Sequence, residues 1–266
     1  MLLAVNVENS HISVGVFDES DALCAKFQIA ADLCKTPDEY AVLIHSILRE
    51  RDLLLSETTD AIVSSVVPQL THTVVQAVRS IANTDPLTVG PGVKTGFPIK
   101  IDTPSELGGD IVADIAAVLE LLKQSGRASA AIVANVGTVT TVSAVNQRGE
   151  YVGCSIFPGV RSSFELLHGK TAQLPNVSLS EPSRAIGKNS QDAVRSGVIL
   201  GHAMMLDGFV EQFAREIKCP LSELSLFITG DNARFITSAL TKQYMFDGDL
   251  TLKGLLALYR NTARTV

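Results

Sequence analysis

One short pattern occurs twice in this chain, and the repeat limits what it can fold into. Ala131-Ile-Val-Ala-Asn-Val-Gly-Thr-Val-Thr-Thr-Val-Ser-Ala-Val145 is an apolar run that ends at Asn135, bends at Gly137-Thr138 and resumes as a β-branched run. Such a pattern predicts strand, tight turn, strand. The first residues, Leu2-Leu-Ala-Val-Asn-Val-Glu-Asn-Ser-His-Ile-Ser-Val-Gly-Val-Phe17, repeat it. Asn6 takes the place of Asn135, and Asn9-Ser10 lie near the place of Thr138. A bend of this type presents successive backbone N–H groups, which suits a phosphate. Two such hairpins predict a duplicated domain with a nucleotide held between the halves.

The rest of the composition narrows the partners. With 46% hydrophobic and 19% charged residues, the 266-residue chain can bury a substantial core as one large or two ordinary domains. A net charge of −6, no tryptophan and 5% aromatics argue against nucleic acid as a partner. No basic leader opens the chain and no apolar run approaches membrane-spanning length, so we expect a cytoplasmic protein with no membrane partner. The four cysteines form no C-x-x-C pair, and Cys24 and Cys154 lie in apolar runs where a buried, inert thiol is expected. The five histidines show no metal-ligand spacing, and neither a P-loop nor a G-x-S-x-G motif is present.

Strands and helices alternate along the chain, the pattern of an α/β sheet. Thr36-Pro37-Asp38-Glu39 forms a capping box with proline at the first helical position, which predicts a helix to about Arg51. Ala61–Val67 reads as a buried strand ended by Pro68, with a helix following. Residues 90–104 hold three glycines and three prolines and form a loop long enough to be functional. The polar break Gln124–Ala128 divides the chain into an expected domain of residues 1–125 and another of 126–266. In the second, a helix from about Gln191 to Glu216 carries small residues at Ser196, Gly197, Gly201 and Ala203, a face suited to close packing within the chain or on a second subunit.

Seven stretches, in order over nearly the whole chain, resemble the type III pantothenate kinases, a branch of the actin-like fold. The family pattern runs Asp-x-Gly-Asn-Thr, Gly-Ala-Asp-Arg, Asp-x-Gly-Thr-Ala, Gly-Gly-x-Ile-x-Pro-Gly, Ile-Gly-Lys-Asn-Thr, Thr-Gly-Gly and Leu-x-Leu-x-Gly-Leu. This chain has Asn6-Val-Glu8-Asn9-Ser10, Gly108-Gly109-Asp110-Ile111, Asn135-Val-Gly137-Thr138-Val139 and Gly153-Cys-Ser-Ile-Phe-Pro-Gly159. It continues with Ile186-Gly-Lys-Asn-Ser190, Thr229-Gly230-Asp231 and Leu250-Thr-Leu-Lys-Gly-Leu255. The resemblance implies two RNase-H-like (actin-like ATPase) domains, each a mixed sheet flanked by helices, a homodimer, and ATP with Mg²⁺ and K⁺ as cofactors.

It also implies roles. Asp110 matches the general base that takes the proton from pantothenate's primary hydroxyl, and its place at a helix start favours the ionised form. Gly108 and Gly109 precede it, and Ser190 keeps the hydroxyl of a substrate-contacting threonine. Asn6, Asn9, Ser10, Gly137, Thr138 and Gly230 match nucleotide contacts. Taken singly, several of these are ordinary turn formers. The chain departs from the pattern where Asn6 and Asn135 replace the magnesium-side and potassium-side aspartates, because an amide brings an oxygen but no charge. Glu8 replaces a glycine beside the expected phosphate, and Asp231 replaces a glycine of the adenosine turn. Ile111 and Ile101 replace an arginine and a tyrosine that hold pantothenate, and neither can pair with a carboxylate or donate a hydrogen bond. The resemblance implies an ATP-dependent pantothenate kinase; the substitutions point to impaired activity. The alternatives are an inactive dimeric paralogue acting through nucleotide binding or a protein partner, and a kinase for a less polar alcohol.

Overall fold

The computed structural model describes residues 1–53, 60–127 and 130–263. Ala128 of the polar break therefore lies outside the described residues. Two compact units make up the chain: Met1–Phe97 with Asp102–Glu120 and the chain from Asp249 on, and Pro98–Ile101 with Leu121–Gly248. These units are not the two halves of the sequence, because the last helix returns to the first unit.

The first sheet contains β1 (Leu2–Val7), β2 (His11–Phe17), β3 (Leu23–Ala30), β4 (Asp60–Ser65) and β5 (Leu87–Thr88), in the order β3-β2-β1-β4-β5. The second contains β6 (Ala131–Val136), β7 (Val139–Val145), β8 (Tyr151–Pro158), β9 (Ser225–Thr229) and β10 (Met245–Phe246), in the order β10-β9-β6-β7-β8. Read from the other edge, the second order repeats the first strand for strand. In both sheets the first two pairings are antiparallel and the next two parallel. The duplication seen in the hairpins thus extends to the whole sheet.

Strand alternation then sorts the side chains. Leu3, Val5 and Val7 face the layer formed by α1 (Pro37–Arg49) and α2 (Pro68–Ala82), in one core with Tyr40, Ile44, Leu70 and Val74. The capping box is formed, with Thr36 accepting from Glu39 N and the Glu39 side chain bonding back. Ala4 and Asn6 lie on the opposite face. There, a Cβ added to Gly15, the partner of Ala4, would meet Leu252 of α6 (Leu250–Ala263). In the second sheet Ile132, Ala134 and Val136 face α4 (Val160–Lys170) and α5 (Ser190–Glu216), leaving Asn135 on the opposite face. Both asparagines are therefore placed on equivalent faces.

α3 (Gly109–Gln124) begins in the first unit and packs closely on α6, since a Cβ at Gly254 would collide with the Ala113 carbonyl. α5 has the length and apolarity of a membrane-crossing helix, with a mean hydropathy of 1.2, yet half of its most apolar stretch is buried inside the chain. One expectation fails: Cys24 is exposed and Cys154 half-buried, because both lie on edge strands whose alternate residues face outward. The cysteine that is buried is Cys219.

Candidate active site

In the first hairpin the register aligns Ser13, Asn6 and Ser64 in one row across β2, β1 and β4. Gln28 of β3 continues the row and donates to Ser13 Oγ at 3.2 Å. A polar row inside an apolar sheet costs stability unless its groups are bonded or serve a ligand. Asn6 and Ser64 are fully buried, and Asn6 Oδ1 and Ser64 Oγ have no hydrogen-bond partner among the described residues. Asn6 Nδ2 donates to Glu8 Oε1 at 2.8 Å, and His11 Nε2 lies 3.2 Å from Glu8 Oε2. The Glu8 carboxylate is thus folded back along the hairpin. Asn9 and Ser10 are exposed at the tip, where Glu8 N donates to His11 O at 2.9 Å.

The second sheet repeats the row as Thr141, Asn135 and Thr229. Its hairpin turn is one residue shorter and tighter, with Gly137 N donating to Val139 O at 3.1 Å. Two glycines clamp that turn. A Cβ at Gly159 would strike the Gly137 and Thr138 carbonyls, and one at Gly230 would come 2.6 Å from the Val136 backbone. Gly230 also has φ +95°, a conformation side chains strain to adopt. Gly159 N and Ser162 Oγ both donate to Thr138 O, at 3.0 and 2.7 Å, while Asn232 Nδ2 donates to Gly137 O at 3.3 Å. The turn carbonyls are therefore tied down on the protein side. Thr140 Oγ1 is buried without a partner among the described residues, but alternation puts it on the α4/α5 face, away from Asn135.

Asp110 is the second residue of α3, in the first turn. Gly108 and Gly109 let this turn sit on the end of β4. A Cβ at Gly109 would come 2.6 Å from Ser64 Oγ, and one at Gly108 would come 3.5 Å from Val66 Cγ1 and 2.5 Å from Asp110 Oδ1. Asp110 thus stands beside the strand row that holds Asn6 and Ser64. Burial pushes its carboxyl above the ordinary value of 3.8, against the pull of backbone N–H groups, with Ile111 N donating to Oδ1 at 2.8 Å. Desolvation outweighs the helix start on which the expectation of an ionised carboxylate rested.

The pantothenate-side positions are divided between the two units. Ile111 is buried at 7% exposure in the first unit, whereas Ile101 is half-buried in the Pro98–Ile101 segment of the second. Ser190 is exposed at the start of α5, behind the Asn189 N-cap, whose side chain accepts from Asp192 N at 2.9 Å. Sequence reasoning missed Ser64, Gly159 and Asn232. Gly159 had a signal, since it closes a quoted motif; Ser64 had none, because its importance comes from a parallel neighbour far along the chain. Clefts of about 800 Å³ (lined by Arg127, Leu221 and Tyr244 among others) and about 630 Å³ (lined by Asn146, Cys154 and Phe213 among others) lie elsewhere in the second unit. Neither is lined by a candidate residue.

With this geometry in view, comparison with known proteins is decisive. The family model for type III pantothenate kinase matches residues 2–212. The chain belongs to the type III pantothenate kinase family. A relative named type III pantothenate kinase from Citrifermentans bemidjiense is 35% identical over 98% of this chain and 99% of its own. Another of that name, from Geotalea uraniireducens, is 36% identical over the full length of both. Among solved structures, a conserved Baf family protein from Campylobacter jejuni superposes with a TM-score of 0.57 at 15% identity, covering 98% and 99% of the two chains. The ethanolamine utilization protein EutJ from Carboxydothermus hydrogenoformans does so at 0.51 and 17%, covering 96% and 88%. At these identities the structures speak for the actin-like fold of the family alone.

Proposed function

We propose that this family member transfers the γ-phosphoryl group of ATP to the primary hydroxyl of pantothenate, at a reduced rate, as a cytoplasmic homodimer in coenzyme A synthesis. The observation that carries the reading is Asp110, a carboxylate with a raised proton affinity seated on glycines beside the first hairpin. A base works best when its pKa lies nearer the working pH, and burial moves Asp110 in that direction. Its carboxylate takes the hydroxyl proton as that oxygen bonds to the γ-phosphorus. The bond from phosphorus to the β–γ bridging oxygen breaks, and ADP leaves with the electron pair.

The hairpin turns are assigned to the phosphates: Asn9 and Ser10 at the exposed first tip, Gly137 and Thr138 at the clamped second. Gly230 is assigned to the adenosine side, and Ser190 to the substrate with Gly108 and Gly109. The unmatched oxygens of Asn6 and Ser64 are hard donors of the type Mg²⁺ takes, so the first row fits that ion. When bound, Mg²⁺ neutralises phosphate charge. Potassium is assigned to Asn135, and no step is routed through it. The reduced rate follows from Asn135, which brings no charge to the potassium position, and from Ile101 and Ile111, which cannot grip a carboxylate.

The deciding experiment is a pantothenate phosphorylation assay with Mg-ATP and potassium, run beside Asp110→Asn. Turnover that falls by about 10²-fold or more in the variant supports the reading. No turnover from the folded wild-type chain rejects it in favour of an inactive paralogue or a kinase for a less polar alcohol, which the burial of Ile111 would suit.

A further inference from the structure

The first hairpin carries its charge in a different place from the family pattern. The strand position has an amide, Asn6, and the carboxylate stands two residues on, at Glu8. The two are joined, with Asn6 Nδ2 donating to Glu8 Oε1 at 2.8 Å. That bond fixes which way the amide points: its nitrogen is spent on Glu8, and its oxygen, fully buried, is left with no partner among the described residues. Ser64 Oγ, in the same row on the next strand, is equally buried and equally unmatched. Buried polar atoms are nearly always satisfied, so two unmatched oxygens in one row are suited to a bound group.

The donor set says what. It holds an amide oxygen, a hydroxyl and one carboxylate, with no sulfur, which is the hard, oxygen-only set that Mg²⁺ or Mn²⁺ takes along with waters and phosphate oxygens. We propose that Glu8 is the carboxylate that serves the divalent cation in this chain, and that Asn6 holds Glu8 through Nδ2 and offers Oδ1 as a second donor. On this account the carboxylate lost at position 6 has moved along the hairpin rather than disappeared. The inference rests on the kinase reading for the use of the ion, but its test reads the ion itself.

Mn²⁺ is titrated into the full-length protein, with and without ADP, and free ion is counted by electron paramagnetic resonance. Wild type is expected to bind Mn²⁺, and Glu8→Gln to weaken binding by about tenfold or more. Glutamine can still accept from Asn6, so a fold change is not expected, and thermal melts check this. His11→Gln, which removes the 3.2 Å contact to Glu8 but not the carboxylate, is expected to leave Mn²⁺ affinity within about twofold. Glu8→Gln combined with Asn6→Asp is expected to recover binding by returning the charge to the strand. Wild-type affinity in Glu8→Gln, or no Mn²⁺ bound by wild type in either condition, would overturn the proposal. Binding that depends on Glu8 in a chain that leaves pantothenate unphosphorylated would reject the proposed function and leave this inference standing.

Discussion

At residue scale, the proposed base Asp110 links proton affinity to stability. Desolvation raises its proton affinity, so the folded state holds the proton more tightly than the unfolded chain does. The associated stability is fully present below the ordinary value of 3.8 and is lost as pH rises through the raised value. Asp110→Asn should therefore melt higher than wild type at neutral pH, with the gap closing as the pH falls toward 3.8. Calorimetric melts across that range check this; a gap that is constant or widens toward acid would contradict it. The acid limb of the kcat/KM profile should likewise lie above the ordinary aspartate range. A loss of turnover together with a gain in stability is what distinguishes a catalytic carboxylate from a structural one.

At the scale of elements, the site depends on close backbone contacts made by glycines. Gly108 and Gly109 seat the first turn of α3 on β4, and Gly254 lets α6 press against α3 at Ala113. At Gly254 no side chain fits without moving a helix, because the obstacle is the Ala113 backbone. Gly254→Ala is expected to lose about 1–3 kcal/mol, as overpacking does, although alanine is the better helix former. Urea denaturation measures it, and a neutral or stabilising result would show that the two helices can part freely. Because α3 carries Asp110, the same variant should lower activity beyond its effect on the folded fraction. The motif Leu250–Leu255 gains a physical meaning here, since its glycine is a packing requirement rather than a chemical one.

At the scale of the whole molecule, the proposed dimer has a candidate surface on α5. Met204 is 69% exposed, Met205 is 40% exposed, and Gly197, Gly201 and Gly208 have open space where a Cβ would be. A helix face of this type, apolar and free of bulk, suits close approach by a second copy. Sedimentation is expected to give twice the 28.3 kDa of one chain, and Met204→Asp to shift it toward one. A wild-type monomer would count against the dimer.

Much of the fold was legible because it rests on local rules. The hairpins were visible from β-branched runs broken at Gly137 and Asn9, α1 from its capping box, and the family from seven motifs in order. Composition and spacing name residues, but they do not say which neighbours those residues meet. Only the tertiary structure placed Ser64 beside Asn6, turned Glu8 back onto the Asn6 amide, exposed Cys24 on an edge strand and brought α6 home to the first sheet. The physical reason is range. Periodicity, caps and turns are set by residues a few positions apart, whereas strand register, desolvation and close helix contact are set by residues that meet only once the chain has folded.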